Sequence, residues 1–183
     1  MKQGAINIIK QIIVGEIETN CYLFISNNEL VIIDPGDEAE KILKEIKKIK
    51  AKPKYIINTH YHFDHVLANK KIKEETGVQI LIHEDEKNFI DFDVDRFLKE
   101  GSKINIGDSI LRVIHTPGHT EGGICLLGED LIFTGDTLFK DGYGRTDLSG
   151  GSQKDLIESL KMLSELLKPG MMVYPGHGEI FKI

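Results

Sequence analysis

The stretch that decides the fold of this chain reads Asn58-Thr59-His60-Tyr61-His62-Phe63-Asp64-His65. It places three imidazoles and one carboxylate within six consecutive positions, after an apolar run at residues 55–57 that predicts a buried strand. Imidazole nitrogens and carboxylate oxygens are ligands that zinc and related first-row metals accept. Because side chains alternate along extended chain, His60 and His62 project to the same side. The sequence therefore predicts a metal site where a strand ends and a loop begins.

The composition predicts one globular domain spanning residues 1–183. A mass of 20.6 kDa suits a single hydrophobic core, and 40% hydrophobic with 28% charged residues are ordinary values. The net charge of −6 gives no general attraction for phosphate backbones, so we expect no nucleic-acid partner. Residues 1–20 alternate instead of forming a signal-type apolar core, and no run approaches the ~18 apolar residues of a spanning helix. We therefore expect a cytoplasmic protein without membrane contact.

Hydrophobic periodicity predicts strands and helices in both halves of the chain. Strands are expected at residues 5–14, 19–26, 29–33, 54–58, 78–82, 109–114, 122–127, 130–133 and 171–174. Three helices are expected: one capped by Asp37, one over residues 64–76 that Gly77 closes, and one capped by Ser152. Residues 84–100 are polar and expected to be partly helical, and Cys21 and Cys125 are expected as buried thiols. This pattern predicts two sheets sandwiched between helices.

Three later strand ends each place a ligand-type residue beside glycine. They are Thr116-Pro117-Gly118-His119-Thr120, Phe133-Thr134-Gly135-Asp136-Thr137 and Tyr174-Pro175-Gly176-His177-Gly178. Glycine lets the backbone turn tightly and approach a site closely, so we expect these residues to join the metal site. Asp64 and His65, at the turn into a predicted helix, can face a second centre nearby. The remaining histidines, His83 and His115, are assigned to structure or surface.

This residue set resembles the metallo-β-lactamase fold superfamily, and the early acidic motif around Asp34 matches as well. The resemblance spans residues 34–177 and implies an α/β fold, a four-layer αβ/βα sandwich of two mixed β-sheets flanked by helices. It implies two divalent metal ions at one edge, zinc first, with iron or manganese as alternatives. It also implies residue roles: His60, His62 and His119 bind the first metal; Asp64, His65 and His177 bind the second; Asp136 bridges both; Asp64 and Asp136 are catalytic; and Asp34 orients a ligand.

Two segments resemble the glyoxalase II-like branch of that superfamily, namely Asp136-Thr137-Leu138-Phe139 and Gly142-Tyr143-Gly144-Arg145-Thr146-Asp147-Leu148. The resemblance implies that Arg145 and Tyr143 line the substrate site, although that loop commonly has a cysteine where Tyr143 stands. An Arg145–Asp147 ion pair is the structural alternative. The sequence ends six residues after His177, so we expect it to lack the second domain of two-domain glyoxalase II and to resemble small single-domain bacterial members.

The resemblance implies a metal-dependent hydrolase, a hydroxyacylglutathione hydrolase-like thioesterase that acts on a small-molecule thioester. Hydroxide bridging two metals about 3.5 Å apart would attack the thioester carbonyl, and a thiolate leaves readily at neutral pH. A mononuclear-iron persulfide dioxygenase resembles the same motifs and would use only His60, His119 and Asp136. A β-lactamase, a lactonase and an RNA-processing nuclease are weaker alternatives. The sequence does not indicate an oligomeric state.

Overall fold

The computed structural model describes residues 7–183, and most of its strands form two sheets. The first sheet contains β1 (Asn7–Val14), β2 (Thr19–Ser26), β3 (Glu29–Ile33), β4 (Lys52–Ile57), β5 (Gln79–His83) and β6 (Arg96–Leu98), side by side in that order. Strands β1 to β3 form an antiparallel meander, whereas β3 to β6 run parallel. Parallel neighbours end at the same edge of the sheet, so loops that follow these strands meet there.

The second sheet is built from the C-terminal half of the chain. It contains β7 (Lys103–Ile106), β8 (Ser109–His115), β9 (Ile124–Leu127) and β10 (Leu131–Gly135). A separate hairpin follows, formed by β11 (Leu138–Phe139) and β12 (Gly142–Tyr143), and the sheet is then completed by β13 (Met172–Pro175) and β14 (Phe181–Lys182). The spatial order is β14-β13-β10-β9-β8-β7, with β10 and β13 parallel and the other pairs antiparallel.

Helices cover the outer faces of both sheets and confirm the predicted four-layer αβ/βα sandwich. They are α1 (Ala39–Lys48), α3 (Asn69–Thr76) and α4 (Gln153–Leu166), whereas the short α2 (Phe63–Val66) lies at the edge of the sandwich. Ile42 of α1 and Ile72 of α3 pack in one core cluster with strands of the first sheet. Leu163 of α4 packs on the second sheet. Phe24 and Phe133 meet between the sheets, with ring centroids 6.0 Å apart.

The prediction of one continuous helix over residues 64–76 is wrong, because this segment forms two helices, α2 and α3. The Ala68 N–H donates to the Pro35 carbonyl at 3.1 Å instead of to the Asp64 carbonyl one turn earlier. Gly36 lies against that carbonyl so closely that an added Cβ would sit 1.5 Å from the Asp64 oxygen. A contact from a distant segment therefore interrupts the helix. Gly77 does end α3, with a positive φ of 71°.

Other local predictions also need correction. The cap position of α1 is Glu38 rather than Asp37, whose carboxylate instead accepts from the Glu38 N–H at 2.6 Å. Residues 84–100 hold a short 3₁₀ helix, Glu84–Glu86, and strand β6 rather than a longer helix. Strands β7 and β14 were not predicted. Residues 5 and 6 of the first predicted strand lie outside the described residues.

Two further predictions concern burial and membranes. Cys21 and Cys125 are both buried free thiols, as expected. Within residues 7–183, no helix combines the length and the hydropathy that crossing a bilayer requires.

Candidate metal centre

The ligand-type side chains predicted from the sequence lie together at one edge of the sandwich. Overlapping groups of three place their ligand atoms within 4.8 Å of one another. The loops after β4, β8, β10 and β13 and the helix α2 supply them: His60, His62, Asp64, His65, His119, Asp136 and His177. Strand ends from both sheets therefore converge on one site, as the glycine-flanked positions predicted.

The first group consists of His60, His62 and His119. His62 Nδ1 lies 2.9 Å from His119 Nε2, and the His60 ring stands edge-on to both neighbours with centroids 4.8 Å apart. His119 Nδ1 donates to the Arg145 carbonyl at 2.7 Å, and His60 Nδ1 contacts Thr59 Oγ1 at 3.1 Å. Because the Nδ1 atoms of both residues contact protein groups, His60 Nε2 and His119 Nε2 are free to bind a metal.

The second group consists of Asp64, His65 and His177. Asp64 Oδ2 lies 3.2 Å from His177 Nε2 and 3.4 Å from His65 Nε2, and the two imidazole nitrogens lie 3.3 Å apart. The turn between β1 and β2 supports this group from outside. Thr19 Oγ1 donates to Asp64 Oδ2 at 2.8 Å, and His177 Nδ1 contacts the Ile17 carbonyl at 3.2 Å. Thr19 lies in no recognisable motif, so its contact with Asp64 could not be predicted from the sequence.

Asp136 lies between the two groups. Its Oδ2 atom is 3.5 Å from His119 Nε2 in the first group and 3.5 Å from His177 Nε2 in the second. Its Oδ1 atom is 3.4 Å from His65 Nε2. Asp136 is therefore within reach of ligand atoms in both groups.

Unsatisfied polar atoms show that these residues fit bound metals. His60 Nε2 and Asp136 Oδ1 are buried, and neither has a hydrogen-bond partner among residues 7–183. An unsatisfied buried polar group costs roughly 1–3 kcal/mol, so such atoms need another partner. Three imidazoles suit one divalent ion, and two imidazoles with a carboxylate suit another, with Asp136 within reach of both.

The pKa values of the ligands differ between the two groups. Burial, reinforced by His65 and His119, holds the pKa of His60 well below its ordinary value, and burial lowers the pKa of His62 to about 4. Burial also opposes charge on His65, but the carboxylates of Asp136, Asp34 and Asp64 outweigh it and raise its pKa to about 9. The first group therefore offers neutral imidazoles, whereas metal binding by the second must displace a proton from His65.

Asp34 lies behind both groups and contacts residues of each. Its carboxylate accepts from the Thr59 N–H and the Thr59 hydroxyl, each at 2.7 Å, and Thr59 in turn contacts His60. Asp34 Oδ2 also lies 3.0 Å from His65 Nδ1, a charge contact whose direction is poor for a hydrogen bond. One buried carboxylate thus orients a ligand of each group.

Two glycines allow the backbone to approach the ligands. A Cβ added at Gly176 would sit 2.2 Å from Asp136 Oδ1, and one added at Gly144 would sit 2.0 Å from the Asp136 carbonyl. Gly144 also lies beside His119 Nδ1, where the next residue, Arg145, presents its carbonyl. Side chains at these positions would displace the bridging residue or its neighbour.

The predicted substrate residues lie on the loop that borders the site. Tyr143 is 60% exposed. The Arg145 side chain is also exposed, and its Nε and Nη2 atoms donate to the two carboxylate oxygens of Asp147 at 2.7 Å each. The structure therefore contains the predicted alternative ion pair, while the Arg145 main chain contacts His119. A role in substrate binding stays a prediction for both residues.

Sequence reasoning missed Glu86, which supports the loop bearing His119. Glu86 is fully buried, and its Oε1 accepts from Thr120 Oγ1 at 2.6 Å. Its Oε2 has no hydrogen-bond partner within the described part of the chain. Burial raises the pKa of Glu86 to about 7 against the opposing hydrogen bond from Thr120. Glu86 lies in the polar stretch of residues 84–100, where the sequence predicts surface residues and no motif distinguishes it.

Replacing Glu86 with glutamine should make stability less dependent on pH. A raised carboxyl pKa favours the folded state below about pH 4.5, and this advantage is lost as the pH rises through the folded value of about 7. Glu86→Gln keeps an acceptor for Thr120 without a buried charge, so it should gain up to about 3 kcal/mol at pH 8 and less than about 1 kcal/mol at pH 5. Urea unfolding at both pH values measures this. Exposed Glu74→Gln is the control, and equal curves for wild type and Glu86→Gln at pH 8 would contradict the expectation.

Comparisons with known proteins identify the superfamily to which this chain belongs. Residues 14–177 match the family model described as the metallo-beta-lactamase superfamily. The chain belongs to the metallo-beta-lactamase superfamily, a superfamily of metallo-hydrolases. This confirms the family that the motifs indicated.

Relatives and solved structures agree with that assignment. The probable metallo-hydrolase YqgX of Bacillus subtilis is 34% identical over 90% of this chain and 87% of its own. The probable polyketide biosynthesis zinc-dependent hydrolase PksB of the same species is 31% identical, over 86% of this chain and 72% of its own.

Two solved structures resemble this chain over most of their length. The B3 metallo-beta-lactamase BLEG-1 has a TM-score of 0.90 at 30% identity, covering 96% of this chain and 94% of that one. TTHA1623, solved in a di-iron-bound form, has a TM-score of 0.86 at 31% identity, covering 94% of each chain.

Proposed function

We propose that this protein is a dinuclear metallo-hydrolase that cleaves small-molecule thioesters of the hydroxyacyl-thiol kind. The observation that supports it most is the position of Asp136 between two complete ligand groups. His60, His62 and His119 would hold one ion, and Asp64, His65 and His177 the other. When bound, two divalent ions supply a Lewis acid and an activated water near neutral pH. PksB is described as zinc-dependent and TTHA1623 was solved with two irons, so zinc and iron are both candidate metals for this protein.

The surroundings of the centre favour an ester with a good leaving group. The Tyr22 hydroxyl donates to the Pro175 carbonyl at 2.7 Å, and the Tyr61 hydroxyl donates to the Ser149 carbonyl at 2.8 Å. These two phenols are therefore engaged and are poor candidates for protonating a departing amine, which leaves the exposed Tyr143 on the bordering loop as the other phenol near the site. A thiolate needs no such donor at neutral pH, since thiol pKa values are near 8.5. This supports a thioester over an amide substrate.

A persulfide dioxygenase with one iron is the second candidate, because His60, His119 and Asp136 would suffice for it. The two candidates differ in their need for the second group. His177 belongs only to the second group, where its Nε2 atom lies 3.2 Å from Asp64 Oδ2 and 3.5 Å from Asp136 Oδ2. A hydrolase that requires two metals should lose activity without His177, whereas a mononuclear enzyme should keep its first centre.

One experiment separates these functions. Protein loaded with zinc or with iron is assayed for thiol release from S-lactoylglutathione and a neutral thioester, for cleavage of a β-lactam, and for oxygen consumption with a persulfide. Thiol release at least about a hundredfold faster than β-lactam cleavage, abolished in His177→Ala, is the expected result. Oxygen consumption that survives in His177→Ala would establish the dioxygenase instead.

Arg145 is expected to bind an anionic part of the substrate. Arg145→Ala should then lower kcat/KM by roughly 2–4 kcal/mol, or about thirty- to a thousandfold, on an anionic thioester and much less on a neutral one. Melting temperature should change little, because exposed ion pairs contribute less than about 1 kcal/mol. Asp147→Ala is the matched control, since it releases the guanidinium without removing it. Equal losses in both variants would assign Arg145 to loop structure.

A further inference from the structure

Tyr61 stands between the ligands His60 and His62 in the chain, but its side chain contacts a different part of the molecule. Its hydroxyl donates to the Ser149 carbonyl at 2.8 Å. Its ring stacks on Phe89, with centroids 4.9 Å apart and planes 17° from parallel. This one side chain therefore joins the histidine-rich ligand motif to a segment 88 residues further along the chain.

The segment that Tyr61 contacts is the arginine loop, residues 144–151, which carries Arg145. These residues, all within the described part of the chain, form turns without helix or strand. The Gly151 N–H donates to the Leu148 carbonyl at 2.9 Å, and the Arg145 guanidinium is paired with Asp147 on the same loop. A loop without a regular hydrogen-bond ladder depends on outside contacts for a fixed position.

Both ends of the arginine loop are held by the segment that carries His119. At the start of the loop, His119 Nδ1 donates to the Arg145 carbonyl at 2.7 Å. Just after its end, the Ser152 main-chain N–H donates to the Gly118 carbonyl at 2.8 Å. Residues 146–151 lie between these two contacts. A flexible span between fixed ends keeps many conformations unless its middle is fixed as well.

Tyr61 and Phe89 fix the middle of the arginine loop. The Tyr61 hydroxyl holds the Ser149 carbonyl, and the next residue, Gly150, lies against Phe89, where an added Cβ would sit 3.2 Å from the ring. Ring packing tolerates small shifts, whereas a hydrogen bond sets both a distance and a direction. The hydroxyl is therefore the group that defines where Ser149 lies relative to the ligand motif.

We propose that Tyr61 is a positioning residue: its hydroxyl fixes the arginine loop and so places Arg145 to bind the anionic part of a substrate at the metal centre. This inference rests on the proposed function, in which Arg145 pairs with an anionic thioester. Because Arg145 and Asp147 both belong to the loop, a shift of the loop moves their ion pair as a unit. Tyr61 acts through Arg145 and takes no part in bond cleavage.

Kinetics of Tyr61→Phe test the dependence on Arg145, since this change removes the hydroxyl and keeps the ring on Phe89. The KM for an anionic thioester should rise about two- to tenfold, as expected for one lost hydrogen bond, while kcat and the KM for a neutral thioester change little. In the Arg145→Ala background, Tyr61→Phe should have no further effect, because both residues act on one contact. Tyr55→Phe, which removes a hydroxyl from β4, is the control. Equal changes on both thioesters, or additive losses in the double variant, would overturn the proposal.

Hydrogen exchange tests the position of the loop independently of catalysis. In full-length protein loaded with zinc, the amides of residues 145–151 should exchange about two- to tenfold faster in Tyr61→Phe than in wild type, while those of β2 and β3 stay unchanged. If wild type releases no thiol from any thioester, the proposed function fails, and faster exchange in Tyr61→Phe would still support the positioning role. Unchanged exchange in the loop would overturn it, whatever the kinetics show.

Discussion

Asp136→Ala is expected to lose about two equivalents of metal relative to wild type and at least about a thousandfold in kcat/KM on a thioester. Asp136 contacts both ligand groups, at 3.4–3.5 Å from His65, His119 and His177. Removing it takes the shared carboxylate from both ions at once and leaves each ion with only the three side chains of its own group. Elemental analysis and thiol release measure the two losses.

The stability of metal-free protein separates metal loss from unfolding. Asp136 Oδ1 is buried without a hydrogen-bond partner among the described residues, and Asp34 and Asp64 stay beside His65 when it is removed, so the stability of the metal-free fold should change little. Without metal, Asp136→Ala should therefore melt within a few degrees of wild type. Asp141→Ala, on the exposed part of the following loop, is the control for a lost carboxylate. Wild-type metal content in Asp136→Ala would contradict the bridging role.

Asp34→Ala is expected to cause the largest loss of stability, about 3–5 kcal/mol in the free energy of unfolding. The Thr59 N–H and hydroxyl would both lose their buried acceptor, and His65 would lose the carboxylate 3.0 Å from its ring. Asp34 also has a positive φ of 50°, which aspartate and asparagine adopt more readily than alanine. Metal affinity should fall by about ten- to a hundredfold, since a ligand of each group loses its orientation.

Asparagine at this position tests the explanation. Asp34→Asn keeps the backbone preference and one acceptor for Thr59, so it should recover part of the stability but not the charge contact with His65. Asp37→Ala removes an exposed carboxylate that accepts only a single local hydrogen bond, and it should cost less than about 1 kcal/mol. Urea unfolding with and without metal compares the variants. Similar losses at positions 34 and 37 would mean that burial of Asp34 is unimportant.

The elements that the sequence predicted well have local signals at both ends. Strands β2 and β3 have the expected bounds because their continuous apolar runs stop at the Asn27-Asn28 turn and before Asp34-Pro35-Gly36. Strands β6 and β14 are only three and two residues long, which is too short for a periodicity to appear. Their neighbours in the sheets define them. The break between α2 and α3 likewise depends on Pro35 and Gly36, which lie about 30 residues earlier in the sequence.

The same distinction applies to the site. His119, Asp136 and His177 were predictable because glycine marks each backbone turn, and the histidine-rich motif carries its own spacing. Thr19 was not, because its contact with Asp64 joins positions 45 residues apart in segments without a motif. Glu86 was not, because only the folded chain buries its carboxylate beside Thr120. Residues that hold the ligands depend on tertiary contacts, which local patterns do not contain.

The link between Asn20 and the β13 end has a consequence for the order of folding. The Asn20 side chain donates to the carbonyls of Pro175 and Gly178, closing loops of 155 and 158 residues. Contacts so distant in sequence form slowly, because the entropy of loop closure must be overcome first. During synthesis from the N-terminus, the meander of β1 to β3 emerges long before its partner at residues 175–178 exists. His60, His62 and His119 can therefore meet in an intermediate, whereas His177 reaches Asp64 only when the chain closes. Recruitment of the second ion should accordingly follow the slowest refolding phase rather than precede it.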